Sequence, residues 1–232
     1  VRDGSFTYKF DPDSLYSLTT TTGQGRGTAE PPPQKPFPFP YREDFEKTSL
    51  HRAPKYLSDQ DGAFEAVSCN GRAGRCLEQV ITEKPIPWGP LPDPWTLAGD
   101  VNWTDYQLDT DARLDQPGNI TLIGRVDSAD VFKDGKAHYP SAYVFVVNEK
   151  GEWKLLSCAY KRPDRVLAQG AVGFAPSKWH HLRLRFAGKQ ITASIDEHST
   201  ASVEDADHTH GMFGIGTGWN RAQFDNVSVV RP

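Results

Sequence analysis

Short segments in which apolar and polar residues alternate recur along most of this sequence, and no stretch sustains a helical period. The clearest is Trp179-His180-His181-Leu182-Arg183-Leu184-Arg185-Phe186. Leu182, Leu184 and Phe186 fall on one face, while Arg183 and Arg185 fall on the other and read as a solvated sheet face. Comparable strand signals cover 62–68, 77–82, 106–114, 119–126, 141–147, 153–160, 190–195, 211–217 and 223–230. Turn signals such as Asn148-Glu149-Lys150-Gly151 and Ala187-Gly188-Lys189 separate them. About ten short strands joined by turns predict two packed antiparallel sheets. The expected fold class is therefore all-β, a two-sheet jelly-roll or concanavalin-like (lectin-like) β-sandwich.

That sandwich is expected over 41–232. Residues 1–22 read as two further strands, Ser5 to Phe10 and Leu15 to Thr22, around the turn Asp11-Pro12-Asp13. Between them and the sandwich, 23–40 is a Gly/Pro-rich connector. Pro31, Pro32, Pro33, Pro36, Pro38 and Pro40 keep it out of a sheet interior and favour an extended, semi-rigid chain. Two strands alone are marginal in water, so 1–22 is expected to be the closing strands of a preceding small β-sandwich. The single methionine is Met212 and the chain opens on Val1, as a piece of a longer precursor would.

Charge narrows the function classes. A net charge of −4 and a pI near 6.0 argue against a nucleic-acid surface, which needs a strong basic excess. A mean hydropathy of −0.59, with no long uncharged apolar run, excludes a transmembrane helix. Cys69 and Cys76 enclose Asn70-Gly71-Arg72-Ala73-Gly74-Arg75, a loop able to turn back on itself. It suits a disulfide in an oxidising compartment, or two free thiols otherwise. The sequons at Asn102, Asn119 and Asn226 are glycosylation candidates and lean toward an extracytoplasmic location, secreted or in the lysosomal lumen.

No catalytic motif stands out: there is no nucleophile elbow, phosphate-cradling glycine loop or metal-binding helix. His180-His181 and His208-x-His210 lack a set of strong-ligand partners, and neighbours on a strand face opposite ways. Two other features carry more chemistry. Tyr41-Arg42-Glu43-Asp44-Phe45-Glu46 stands near the start of the sandwich and Ala222-Gln223-Phe224-Asp225-Asn226-Val227 near its end. Pairing of first and last strands would bring Asp44 and Asp225 together. Close carboxylates repel unless a cation lies between them, and Ca²⁺ accepts such an irregular oxygen shell; otherwise this is an exposed acidic strand end. The second feature is Lys84-Pro85-Ile86-Pro87-Trp88-Gly89-Pro90-Leu91-Pro92-Asp93-Pro94-Trp95. Its prolines stiffen a loop and lower the ordering cost of presenting Trp88, or Trp95, to the apolar face of a sugar; alternatively both indoles pack beneath it. Trp219 is a third candidate.

These stretches together resemble the C-terminal part of the galactosylceramidase (galactocerebrosidase) family of retaining glycoside hydrolases. The resemblance runs through Ser5-Phe6-Thr7, Leu18-Thr19-Thr20, Pro36-Phe37-Pro38, Asp44-Phe45 and Lys84-Pro85-Ile86-Pro87-Trp88. It continues through Gly99-Asp100-Val101-Asn102-Trp103-Thr104, Gly124-Arg125-Val126, Lys178-Trp179 and Ala222-Gln223-Phe224-Asp225-Asn226. It implies a TIM barrel upstream that carries both catalytic glutamates, so no catalytic residue is expected in this chain. It also implies a structural calcium on Asp44 and Asp225, with Glu46 where the family usually has Asn and a backbone carbonyl near Arg75 completing the shell. Trp88 matches the tryptophan with which this domain lines the galactose pocket. The implied ligand is a β-galactoside or glycolipid glycan. Two other classes compete: an autonomous carbohydrate-binding module or lectin, and a laminin-G-like adhesion module.

Overall fold

The computed structural model describes residues 3–23, 25, 28, 30, 33–86, 92–129, 132, 133, 136–160 and 162–232, with only the backbone of 132, 133, 136, 137 and 199. It divides into two compact units, Val1–Lys35 and Pro36–Pro232.

In the first unit, residues 3–22 form no strand pair; Ser5 makes an isolated bridge only. This corrects the two-strand expectation for the chain by itself. Tyr8, Phe10 and Tyr16 instead meet edge to face at 4.8–5.7 Å; Tyr8 and Phe10 stay exposed and Tyr16 is half-buried. The alternation in Ser5–Phe10 is real, but a strand pair without a third strand or a covering layer gains too little burial to hold.

The second unit begins earlier than the expected boundary at residue 41. Phe37 and Phe39 pack against Trp103 at 5.5 and 4.9 Å, and Phe37 also meets Tyr41. The end of the proline connector thus belongs to the sandwich. Its apolar rings, not its prolines, decide this.

The strands are β1 (Tyr41–Glu43), β2 (Ser58–Asp61), β3 (Phe64–Ser68), β4 (Arg75–Gln79), β5 (Trp95–Ala98) and β6 (Tyr106–Leu114). Then come β7 (Asn119–Ser128), the small pair β8 (Phe132–Lys133) and β9 (Lys136–Ala137), β10 (Ser141–Asn148), β11 (Glu152–Ala159) and β12 (Arg162–Ala171). The chain closes with β13 (His180–Ala187), β14 (Gln190–Ile195), β15 (His198–Glu204), β16 (Met212–Thr217) and β17 (Ala222–Val230). One sheet runs β15-β14-β13-β6-β17-β4-β3, with β1 also on β17; the other runs β12-β11-β10-β7-β16-β5-β2.

All ten expected strands are present. Two of those not foreseen lack apolar alternation: β12 carries Pro163 and is mostly exposed, and β2 is Ser-Asp-Gln-Asp. Between the sheets lies one core that includes Leu108, Tyr106, Phe186, Phe145, Phe213 and Phe224, each fully buried. Each such side chain contributes about 1.5–3 kcal/mol of burial. A second, smaller cluster of Trp95, Leu97, Ile123, Val126, Ala142, Val144, Leu156 and Cys158 involves the seven-stranded sheet alone, with Tyr139 and Met212 packed against it. On β10 the residues Tyr143, Phe145 and Val147 enter the main core and Ala142 and Val144 the smaller cluster, so strand alternation sends the two sets to opposite faces. The outer face of this sheet is therefore covered, not bare.

Candidate functional site

Three regions carry polar chemistry. The first is the junction where first and last strands meet. β1 pairs with Val227–Val229 of β17, and β4 pairs with Gln223 and Phe224. Asp225 and Asn226 fall in the gap between these partners, at a register shift, with Asn226 at φ 53°. Asp44 follows Glu43, the residue opposite Val227, so the chain brings Asp44 to the same gap. Its carboxylate accepts the Glu46 amide at 3.2 Å, and Phe45 between them turns inward at φ 59°. Glu46 Oε1 accepts the Arg75 amide at 2.8 Å; Arg75 Nη1 returns to the carbonyls of Glu46 (3.2 Å) and Thr48 (2.6 Å). A Cβ at Gly74, which has φ 100°, would overlap the Glu46 carboxylate, so glycine is what lets Glu46 approach.

Asp225 is the fourth member. Its Oδ1 accepts the Asn226 amide at 2.7 Å and its Oδ2 accepts Arg72 Nη1 at 3.0 Å. Each oxygen keeps a second lone pair. Asp44, Glu46 and Asp225 thus approach one junction from two segments, but among the described residues their carboxylate oxygens do not converge as a trio, and Arg72 already pairs with Asp225. A cavity of 630 Å³ opens beside them, lined in part by Arg42, Asp44, Lys55, Tyr56 and Asn226.

The second region is the outer face of the eight-stranded sheet. Cys69 and Cys76 are bridged, with Cα atoms 5.2 Å apart, and the loop they close lies on that face. Asn70 holds it at two points: its amide donates to Gln223 Oε1 (2.7 Å) and its carbonyl accepts Trp179 Nε1 (2.8 Å). Arg72 stacks 3.8 Å over the Trp179 ring and donates to Asp111 (2.7 Å) as well as Asp225. Beyond it, His181 sits between Asp111 (3.0 Å) and Asp109 (3.2 Å), and Arg183 Nε reaches Asp109 at 2.6 Å. The two aspartates raise the His181 pKa to about 9, against the opposing effect of burial. Burial disfavours ionised Asp109 and Asp111, yet bonds from His181 first, then Gln107 and Arg183 or Arg72 and Asn226, outweigh it and hold both below the usual carboxylate range. The arginine that alternation placed in solvent, Arg183, is half-buried in this network.

The third region is the outer face of the seven-stranded sheet. Trp88 lies outside the described residues; Pro92, Asp93 and Pro94 lead into β5. There a cavity of 220 Å³ is lined by Pro92, Asp93, Trp95, His138, Tyr139, Pro140 and Asp164. Trp95 is 3% exposed, and its indole N–H has no hydrogen-bond partner among the described residues. Thr121 neighbours Tyr139, Asn119 neighbours Asp93, and the buried Cys158 neighbours Asp164. Burial pushes the Asp93 carboxyl above its ordinary range; Lys84 and Asn119 oppose this only in part. Trp219, the third tryptophan candidate, has Lys84 Nζ 5.9 Å over its ring and a buried indole N–H without a partner.

The sequons differ in their settings. Asn102 stands exposed on a turn, with its side-chain amide on Asp100. Asn119 is half-buried, and its side-chain oxygen accepts the Thr121 hydroxyl at 3.3 Å. Asn226 is exposed, and its amide donates to Asp111 at 3.0 Å. His180 and His208 bind Asp196 (2.6 Å) and Asp127 (2.8 Å), one to one. Among the described residues, the one group of three metal-capable side chains with converging ligand atoms is Cys69, Cys76 and Asp225, whose sulfurs the disulfide already uses.

Two antiparallel sheets around one core, with an aromatic cavity on an outer face, define a lectin-like β-sandwich. Solved structures share the fold: a carbohydrate-binding module, CBM66, from Bacillus subtilis has a TM-score of 0.57 at 16% identity, over 75% of this chain and 94% of that one. An endo-β-galactosidase from Clostridium perfringens that releases GlcNAcα1-4Gal gives 0.55 at 14% identity, over 87% of this chain and 64% of that one. Residues 59–232 match the family described as galactocerebrosidase, C-terminal lectin domain, and the chain belongs to that family. The galactocerebrosidases of Danio rerio and Homo sapiens are 30% and 28% identical over 244 and 238 residues. Those alignments cover 99% and 98% of this chain but 36% and 34% of the relatives, so the chain spans about a third of their length.

Proposed function

We propose that this chain is the non-catalytic glycan-binding part of a galactocerebrosidase-type glycoside hydrolase that acts on β-galactosides or galactolipids. Its sugar face is the outer face of the seven-stranded sheet, beside the start of β5. The observation that carries this reading is the cavity on that face. Tyr139 on its wall can stack on the C–H face of a sugar ring, and Asp93 and Asp164 can accept hydroxyls; Trp95 packs beneath as part of the buried cluster that supports this wall. Trp88, four positions before Pro92 in the sequence, would supply a further indole to the sugar. The reaction itself belongs to an upstream barrel with the catalytic glutamates; this chain contributes binding and placement. The disulfide and the exposed Asn102 sequon favour a secreted or lysosomal setting.

Calcium at the strand junction is part of the same proposal. Asp44, Glu46, Asp225 and the Arg75 carbonyl would hold it, and the ion would fix β1 to β4 and β17 by neutralising their carboxylates. The test of the binding reading is calorimetric titration of the chain with methyl β-galactoside. Millimolar binding that Trp88→Ala weakens about tenfold supports it; no heat up to the solubility limit overturns it. The isolated chain should leave aryl β-galactosides intact, and turnover abolished by one carboxylate substitution here would refute the non-catalytic assignment.

A further inference from the structure

Of the three carboxylates at the strand junction, one already has a cation. Asp225 Oδ2 accepts Arg72 Nη1 at 3.0 Å. Asp44 and Glu46 form no ion pair among the described residues; they accept the backbone amides of Glu46 and Arg75. The guanidinium of Arg75, close by, is taken up by the carbonyls of Glu46 and Thr48.

The chain builds Arg72 into this position. The Cys69–Cys76 disulfide closes its loop, and Asn70 pins the loop to the sheet. The Asn70 amide donates to Gln223, its side chain to Asp115 at 2.9 Å, and its carbonyl accepts the Trp179 indole. Gly71, at φ 74°, packs so close to Arg113 that a Cβ there would come within 2.7 Å of a guanidinium nitrogen. Arg72 then stacks 3.8 Å over Trp179. The side chains of Arg72 and Asp225 are 27% and 12% exposed, so water and salt screen their attraction less than that of a surface pair.

Arg72 is nevertheless able to give up Asp225. The same Nη1 donates to Asp111 at 2.7 Å, and that bond and the Trp179 stack both remain when Asp225 is released. Asp225 in turn keeps the Asn226 amide on Oδ1. The exchange therefore needs no unfolding of the loop.

We infer that Arg72 is a built-in competitor for the cation at the strand junction. It holds Asp225, and Ca²⁺ takes that carboxylate in exchange for the ion pair, so Arg72 sets the affinity. A positive charge already bonded to a ligand oxygen repels a second cation there. The inference rests on the calcium proposal above and adds the residue that limits it.

The test is calorimetric titration of the full chain with CaCl₂ at fixed ionic strength, with melting curves in EDTA and in Ca²⁺. Arg72→Gln should bind Ca²⁺ at least about tenfold more tightly than the wild type. In EDTA it should melt below the wild type, having lost both ion pairs, yet gain more from Ca²⁺; a merely structural role gives the first effect without the second. Arg72→Lys, which keeps the charge, should gain less affinity than Arg72→Gln. Equal affinity of the wild type and Arg72→Gln overturns the inference and leaves the calcium proposal standing. So do equal gains in Arg72→Gln and Arg72→Lys, since the loop and not its charge would then be responsible. Binding by Arg72→Gln with none by the wild type supports the inference and overturns the calcium proposal for the native chain. No binding by either overturns both.

Discussion

Arg125 is the position at which this structure makes its boldest stability claim. The side chain is 1% exposed in the interior, on a backbone at φ 52°, with its guanidinium 4.9 Å from the Phe186 ring. Nε donates to the Thr104 carbonyl (2.9 Å), Nη1 to that of His208 (3.0 Å), and Nη2 to that of Gly188 (2.9 Å) and to Asp105 (3.1 Å). One side chain therefore satisfies three loops at the end of the sandwich. Arg125→Met keeps the aliphatic stem and removes every donor. Each lost bond to a charged donor is worth about 1.5–3 kcal/mol taken singly, but the terms do not add. Asp105 is half-exposed and rehydrates, and burying a guanidinium is itself costly, which offsets part of the loss. The net cost is then about 3–5 kcal/mol, the range for breaking a buried charged network. For a domain of this size that lowers the melting temperature by roughly 6–20 °C. Differential scanning calorimetry measures it directly. Arg125→Lys should recover little, because a single ammonium cannot span the fork of acceptors. A loss under about 2 °C in Arg125→Met would refute the reasoning, since it would mean that water satisfies all three carbonyls.

Further outcomes follow from the polar face and the strand junction. His181 has its pKa raised to about 9 by two aspartates, so its contribution is complete below about pH 6.5 and disappears as pH rises through about 9. The full shift corresponds to about 3 kcal/mol; with the side chain a third exposed, roughly half survives screening. Melting should therefore fall by about 3–6 °C between pH 6 and 9.5, and His181→Gln should show no such decline; equal declines would refute it. Asp109 and Asp111, held low, contribute above about pH 4 and lose their contribution as pH falls. At the strand junction, EDTA should lower the melting temperature by roughly 5–10 °C relative to Ca²⁺ at a hundred times its dissociation constant. Identical melts with EDTA and with Ca²⁺, or an EDTA effect unchanged in Asp44→Asn, would refute the calcium proposal.

What could be read from the sequence followed the period of the chain. Leu182, Leu184 and Phe186 alternate, and all three are in the core. The first and last strands pair, as expected. What stayed hidden depends on register and long-range closure. His181 opposes Asp111 and Arg183 opposes Asp109 only because β13 and β6 pair in one register out of several that alternation permits. Arg125 carried no local signal at all: a charged residue between Gly124 and Val126 reads as surface, and its acceptors lie 20–83 positions away. The cavity was half-legible. The proline loop announced Trp95 and Asp93, whereas His138, Tyr139 and Asp164 arrive from a segment and a strand that showed no pattern.

The account stands or falls on where a β-galactoside touches this chain. Backbone amide shifts followed by two-dimensional NMR during titration with methyl β-galactoside give the answer residue by residue. Changes confined to 84–95, 138–140 and 162–164 are the predicted result. Changes centred instead on Arg72, Asp111 and Trp179, or none at saturating sugar, would contradict it.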